Sequence, residues 1–291
     1  MKYTKFLFAV ILAAFFVPYA PSYDNKPILA KDITYASEAR PVTSPFLYNF
    51  SWNGILEEAG IMSESSSPYF WINSGAKLII ENGSGKTVQK SLSQGDRWQS
   101  LYKTANPLDT GEGYFPQNIF RLVTRSSWKN LREELRFKIA KINMTDTPNR
   151  NGYSGLLLFS RYKDSQNLYY AGIRMDGKAT IKKKINGAYY TMAEAKVFSA
   201  DSGYDKEANP NLIPGNKWMR IKMETKDLPD GSVSISLFLD KTDLGTYAQI
   251  LSATDKPGLY GGTDTVKGPT YAGFRSDYMD LIFDDYKLTE M

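Results

Sequence analysis

Leu168-Tyr-Tyr-Ala-Gly-Ile-Arg174, Met175-Asp-Gly-Lys178, Ala179-Thr-Ile-Lys-Lys-Lys-Ile185, Asn186-Gly187 and Ala188-Tyr-Tyr-Thr-Met192 follow one another without a break. Three runs rich in aromatic and β-branched residues are parted by Asp176-Gly177 and Asn186-Gly187. Asp-Gly and Asn-Gly accept the positive φ of a two-residue hairpin turn, so 168–192 is expected to be a three-stranded antiparallel meander. Upstream, Gly155–Phe159 is continuously apolar, the mark of a strand covered on both sides. Ile119–Arg125 alternates, and Lys77–Ile80 stops at Asn82-Gly83. Downstream, Trp218–Thr225 and Ser232–Asp240 are joined by Leu228-Pro-Asp-Gly231, and Val233, Ile235, Leu237 and Leu239 alternate with smaller or outward residues. Thr246–Ser252, Thr270–Phe274 and Leu281–Leu288 complete the set. Leu131–Ile142 fits a helix through Leu131, Leu135 and Ile139, and a strand through Leu135, Phe137 and Ile139. The strand is preferred because its neighbours are strands and because Phe and Ile suit one. About a dozen strands with almost no helix predict an all-β protein, a two-sheet antiparallel β-sandwich.

The ends of the chain differ from this body. Met1–Lys5 is basic, Phe6–Val17 is apolar and uncharged, and Pro18 and Ala20-Pro21-Ser22 follow. That is the layout of a secretory signal, with cleavage expected after Ser22. Twelve apolar residues rise about 18 Å as a helix, short of a hydrocarbon core, so the mature protein is expected outside the cytoplasm without stable membrane insertion. Residues 23–45, with Pro27, Pro41 and Pro45, read as a flexible tether, and 46–291 as a single β-sandwich domain. Sequons stand at Asn49, Asn82 and Asn143.

Composition excludes much chemistry. There is no cysteine and no histidine among 291 residues. Disulfides, thiolate or imidazole metal sites, Ser-His-Asp triads and histidine bases are all ruled out. A bound metal should be a hard cation such as Ca²⁺ held by oxygen. The net charge of +5 falls to +3 without Lys2 and Lys5, too little to argue for nucleic acid. Aromatics reach 14%, with 20 Tyr, which suits strands and stacking surfaces.

Ser154-Gly-Leu-Leu-Leu-Phe-Ser-Arg-Tyr162, Asp164-Ser-Gln-Asn-Leu-Tyr-Tyr-Ala-Gly-Ile-Arg-Met-Asp-Gly177 and Met279-Asp-Leu-Ile-Phe-Asp-Asp-Tyr-Lys287 resemble the concanavalin A-like lectin/glucanase superfamily. This is the jelly roll shared by laminin-G-like modules and several polysaccharide lyases. Trp71–Gly75 and Pro116–Thr124 resemble another stretch of such a domain. The resemblance implies one concave sheet on which a glycan is bound or cut. It also implies a structural calcium site near the N-terminal loop and the last strand, which would fall on Asp284 with Glu57 or Glu58; the alternative is two ordinary solvated carboxylates.

The chemistry open to such a sheet can be narrowed. Glycoside hydrolysis uses two carboxylates on one face. The Glu-x-Asp-x-Glu strand of jelly-roll glucanases is absent; Asp284/Asp285 and Glu133/Glu134 are adjacent and so point apart, while Asp280 and Asp284 lie about 13 Å apart along a strand. β-Elimination on a uronate needs a cation at the carboxylate and a Tyr or Lys base. For a lyase the set would be Tyr162, Tyr170, Lys182, Arg121 and Arg161; for binding alone, Arg121, Arg125, Arg161, Tyr170, Arg174, Lys182 and Tyr190. Arg132-Glu-Glu-Leu-Arg136 resembles a strand of one alginate lyase family, although that family's Gln-x-His motif is missing; a solvated strand edge is the other reading. Lys182 and Lys184 share a face, and read either as a basic surface for an acidic glycan or as the guard of an edge strand. Tyr162, Tyr169, Tyr170, Tyr189, Tyr190 and Trp218 are stacking candidates or core rings. Three functions remain: an exported carbohydrate-binding or surface-interaction module whose partner is a glycan, a polysaccharide lyase acting on a uronate polymer, and a structural surface protein.

Overall fold

The computed structural model describes residues 36–291; the expected leader and residues 23–35 of the expected tether lie outside that range. The strands are β1 (Phe46–Tyr48), β2 (Gly54–Glu57), β3 (Phe70–Ser74), β4 (Lys77–Glu81), β5 (Ser84–Lys86), β6 (Ile119–Thr124), β7 (Leu131–Ile142) and β8 (Gly155–Asp164). They continue as β9 (Asn167–Arg174), β10 (Lys178–Ile185), β11 (Ala188–Lys196), β12 (Met219–Asp227), β13 (Val233–Asp240), β14 (Ala248–Asp255), β15 (Tyr271–Asp277) and β16 (Met279–Glu290). One sheet has nine strands, ordered β14-β13-β12-β7-β16-β5-β4-β2 with β1 added on β16; the other has seven, ordered β11-β10-β9-β8-β15-β6-β3. The all-β sandwich expected from the sequence is the fold observed.

The meander is β9-β10-β11. Asn186 (φ 47°) and Gly187 (φ 83°) occupy the left-handed region that a type I′ turn requires. At Gly177 (φ 78°) a Cβ would come within 2.3 Å of the Phe198 carbonyl oxygen, so only glycine fits. Strand β8 is the middle strand of its sheet, as its apolar run implied. The ambiguous Leu131–Ile142 is strand β7, and Leu131, Leu135, Phe137 and Ile139 all point inward.

Between the sheets, Phe50, Phe120, Phe274, Phe283 and Tyr286 form a ring cluster, with Phe274 and Phe283 edge to face at 4.9 Å. Each fully buried aliphatic or phenyl side chain contributes about 1.5–3 kcal/mol, and this core stands in for absent disulfides. A short helix, α1 (Arg97–Ala105), escaped the sequence reading. Asp96 caps it by accepting from the Trp98 N–H at 2.8 Å, and Trp98 and Tyr102, one turn apart, bury against Ala76 and Val88. Part of the expected tether is docked: the Ser37 and Arg40 N–H groups donate to the carbonyls of Ser65 and Pro68. No helix among the described residues is long and apolar enough to cross a membrane.

Candidate functional site

The outer face of the seven-stranded sheet is set by alternation and register. In one row Arg121 lies opposite Arg275, then come Leu157, Gly172, Thr180 and Glu194. In the next row are Val123, Gly273, Phe159, Tyr170, Lys182 and Thr191. Beyond it, Tyr162 pairs with Tyr271, and Leu168 with Lys184 and then Tyr189. Val123, Leu157, Phe159, Tyr162, Leu168 and Tyr170 pack into an apolar floor flanked by Trp71 and Tyr271. A strip of basic and aromatic side chains therefore sits on a second, smaller apolar cluster outside the main core.

The cations of this strip outnumber their partners. Two arginines directly opposite on neighbouring strands repel unless something neutralises them. Arg275 has Asp277, whose carboxylate accepts from its Nε at 3.1 Å. Burial opposes the Arg275 charge, but Asp277, then Tyr170 and Tyr189, overcome that and push its pKa up. Arg121 is 5% exposed, and its Nε and Nη1 have no hydrogen-bond partner. Burial first, then Arg174 and Arg275, lowers Lys182 to about 8 against the pull of Glu194. Burial likewise lowers Lys184 to about 8, with Tyr170 opposing and Arg275 and Arg121 reinforcing. Among the described residues Arg121, Lys182 and Lys184 form no ion pair within 4.0 Å, whereas Arg174 is held by Asp176 and Glu194.

Several hydroxyl and amide atoms on the face are also unpartnered. Tyr170 Oη, Thr180 Oγ1 and Asn73 Oδ1 are buried without a hydrogen bond. The Tyr170 ring meets Phe159 edge-on at 6.1 Å and stacks on Tyr189 at 6.1 Å, and the Arg275 guanidinium lies 5.6 Å from its centre. Tyr189 is 39% exposed and carries the Lys184 ammonium 4.7 Å from its ring centre. Tyr162 Oη accepts from Asn73 Nδ2 at 2.8 Å. Burial raises its pKa, only partly offset by Arg121, so Tyr162 is a poor base. At the far end the Tyr153 ring covers Arg174 at 4.2 Å and Lys182 at 4.9 Å.

Arg121, Tyr162, Tyr170, Arg174 and Lys182 thus share one face. Three other expected site residues do not join them. Arg161 adopts φ 55° where β8 carries one residue more than β15 between Phe159 and Tyr162; the extra residue shifts the alternation, so Tyr162 takes the outer face and Arg161 turns inward to Asp227 (2.8 Å) and Asn130 (3.2 Å). Arg125 donates to the carbonyls of Ser37 and Ser67, both at 2.6 Å, and so fastens the N-terminal segment. Tyr190 pairs with inward-facing Lys183, and its ring lies against Gly261. Arg132 and Arg136, of the alginate-lyase-like stretch, lie on the other sheet and pair with Glu224 and Asp243. Glu57 and Asp284 do not meet: β2 and β16 are three strand spacings apart, about 14 Å, Glu57 is held by Arg97 and Trp98, and Asp284 lies 3.8 Å from Arg136. Among the described residues no group of three or more acidic side chains is placed to hold a metal ion. Asn143 of the third sequon is buried and donates to Asp280 and Asn118, while Asn49 and Asn82 are exposed. Lys184 joins Lys182 as their shared strand face implied, whereas Arg275, Asn73 and Thr180 enter the site only through tertiary pairing; the alternation in Gly273-Phe274-Arg275 was the one local sign that Arg275 faces out.

No family model and no curated protein matches the chain. Among solved structures it is similar to a carbohydrate-binding module, CBM66, from Bacillus subtilis (18% identity, 59% of this chain and 82% of that one, TM-score 0.40). It is also similar to a β-1,3-1,4-glucanase from a mouse hindgut metagenome (9% identity, 86% and 100%, TM-score 0.44) and to a Bacillus licheniformis β-glucanase (11% identity, 86% and 100%, TM-score 0.41). At so low an identity, what the site does rests on its own residues.

Proposed function

We propose that this protein, exported by its N-terminal leader, binds an acidic glycan on the outer face of the seven-stranded sheet. One observation carries the reading: Arg121, Lys182 and Lys184 lack an acidic partner on a face where Tyr170 and Asn73 also leave buried polar atoms unpaired. An anionic sugar supplies both needs. Its carboxylate meets Arg121, Arg275 and Lys184, its hydroxyls meet Tyr170 and Asn73, and its ring faces settle on Tyr189 and the apolar floor. Entry requires the exposed Tyr189 ring to leave Tyr170. Calorimetric titration with a polyuronate and with a neutral β-glucan tests this. Binding of the polyuronate that weakens steeply with salt, and none of the neutral polymer, is expected. Tyr170→Phe removes an unpaired hydroxyl, so it should leave the free fold as stable or up to about 1 kcal/mol more so while weakening binding. Equal binding of both polymers removes the reading.

A second reading, lyase action on the same polymer, is favoured by Lys184 and Lys182, whose pKa values near 8 leave a usable neutral fraction. The lysine would take the proton α to the uronate carboxylate, the C–O bond at the β position would break, and the departing oxygen would gain a proton. Ultraviolet absorbance of the resulting unsaturated uronide separates the two readings.

A further inference from the structure

We infer that the Thr180 end of this face is a second subsite, built for a neutral, hydroxyl-rich sugar next to the acidic one, so that the ligand is a mixed acidic–neutral polymer. The inference rests on the glycan-binding reading. It starts from a difference in ion pairing along the strip. Around Arg121, three cations (Arg121, Arg275 and Lys184) have one ion-paired carboxylate, Asp277, while Asp164 acts on Lys184 only from beyond 4.0 Å. Around Thr180 the carboxylates Asp176 and Glu194 stand among Arg174, Lys182 and, at the rim, Lys178. A second acid group placed there would meet two carboxylates. A sugar hydroxyl can donate to Glu194 or Asp176 and accept from Lys182.

Thr180 is the independent sign of a ligand. It is fully buried, lies in register between Gly172 and Glu194, and its hydroxyl has no partner. A threonine that packed only as a strand residue would keep its stability as valine, because an unsatisfied buried hydroxyl works against the fold. Tyr153 supplies the platform. Tyr153 is 54% exposed while its ring lies over Arg174 and Lys182, so it offers aromatic surface to solvent beside Lys182 of Thr180's strand.

The experiment titrates wild type, Thr180→Val and Tyr153→Ala with two polymers, a homopolymeric polyuronate and one alternating uronate with neutral sugar, and records thermal unfolding of each variant. The alternating polymer should bind wild type about tenfold tighter. Thr180→Val should lose that advantage while unfolding at the same or a higher temperature, and Tyr153→Ala should lose it too; polyuronate binding should stay unchanged in both. Variants that bind the alternating polymer like wild type, or that lose both polymers equally, overturn the subsite while leaving the acidic-glycan reading standing. Failure of wild type to bind either polymer overturns both.

Discussion

The two outer faces of the sandwich carry similar side chains and treat them differently. On the nine-stranded sheet Arg132 meets Glu224 at 2.8 Å, Arg136 meets Asp243 at 2.7 Å, and Arg220 reaches Asp243 at 2.8 Å and Asp285 at 3.0 Å. Lys222 lies 3.6 Å from Glu224 and Lys287 lies 3.7 Å from Glu134, while Arg136 also stacks on Trp218 at 3.9 Å. The three arginines, Lys222 and Lys287 of that face all have carboxylates beside them, while Lys138 rests over the Trp218 ring and Lys226 stands in solvent. On the seven-stranded sheet, Arg121, Lys182 and Lys184 are unmatched, and Arg121 and Lys184 are also buried. A buried polar group without a partner costs about 1–3 kcal/mol, and the free protein carries that cost repeatedly on a single face. Aromatic and basic content therefore does not mark a site by itself; the state of pairing does.

The largest effect should come from removing the central unmatched cation. Arg121→Met keeps most of the volume and should weaken polyuronate binding by about 100-fold, the range of a charge-assisted hydrogen bond in a covered site. Arg136→Met, on the matched face, should leave binding untouched and cost about 1–2 kcal/mol of stability. Urea unfolding beside calorimetry reads both. Comparable loss of binding in the two variants would erase the distinction between the faces.

The matching on the nine-stranded sheet ends at its inner side. Glu133 of β7 points into the core, where it accepts from Tyr286 Oη at 2.5 Å and keeps Oε2 unpaired. Burial holds its pKa well above the usual carboxylate range, with Tyr286 pulling back, so the fold keeps its proton to a higher pH than the unfolded chain does. Above its unfolded value the unfolded chain has lost this proton and the folded chain has kept it. Stability must then fall as pH rises, by up to about 1.4 kcal/mol per unit, until the folded group ionises. Glu133→Gln should flatten that slope in unfolding measured from pH 5 upward. An unchanged slope would place the titration elsewhere.

Lys182 and Lys184 give a third, smaller and opposite signature. Both are charged below about 8 and neutral above it. Polyuronate affinity should fall about tenfold as pH rises from 7 to 9. Over the window from 8 to 10.5 the unfolded chain binds more protons at these positions than the folded one, so their contribution to stability rises with pH. Binding that weakens while the lysines' share of stability grows is the expected pairing. Affinity independent of pH, or Lys184→Met with an unaltered binding profile, would remove the lysines from the site.

Local chemistry was enough to read the sandwich. Asn186-Gly187 and Asp176-Gly177 set the meander, and the alternation in Val233–Leu239 set a strand, because turns and pleats are decided by residues close in sequence. The site was legible in part, through the shared face of Lys182 and Lys184 and the aromatic pairs. What defeated the rest was long-range or irregular. Arg275 reaches Arg121 only through pairing of strands about 150 residues apart. Arg161 was turned inward by a one-residue bulge that no periodicity announces. Helix α1 is nine residues long, and its cap and two buried rings form too short a pattern to separate from a loop.

The smallest expected effect tests whether the matched face is matched for stability or only for solubility. Lys287 and Glu134 lie 3.7 Å apart, with the lysine side chain 43% exposed, so solvent and salt screen the pair and holding two long side chains together costs entropy. Lys287→Met should change stability by less than about 0.5 kcal/mol and leave glycan affinity as it was. The same substitution at Arg220, which bridges Asp243 and Asp285, should cost more because two carboxylates then lose a shared partner. If both variants are silent, the charge matching on the nine-stranded sheet serves to keep that surface from attracting ligands, and the contrast between the faces becomes one of recognition alone.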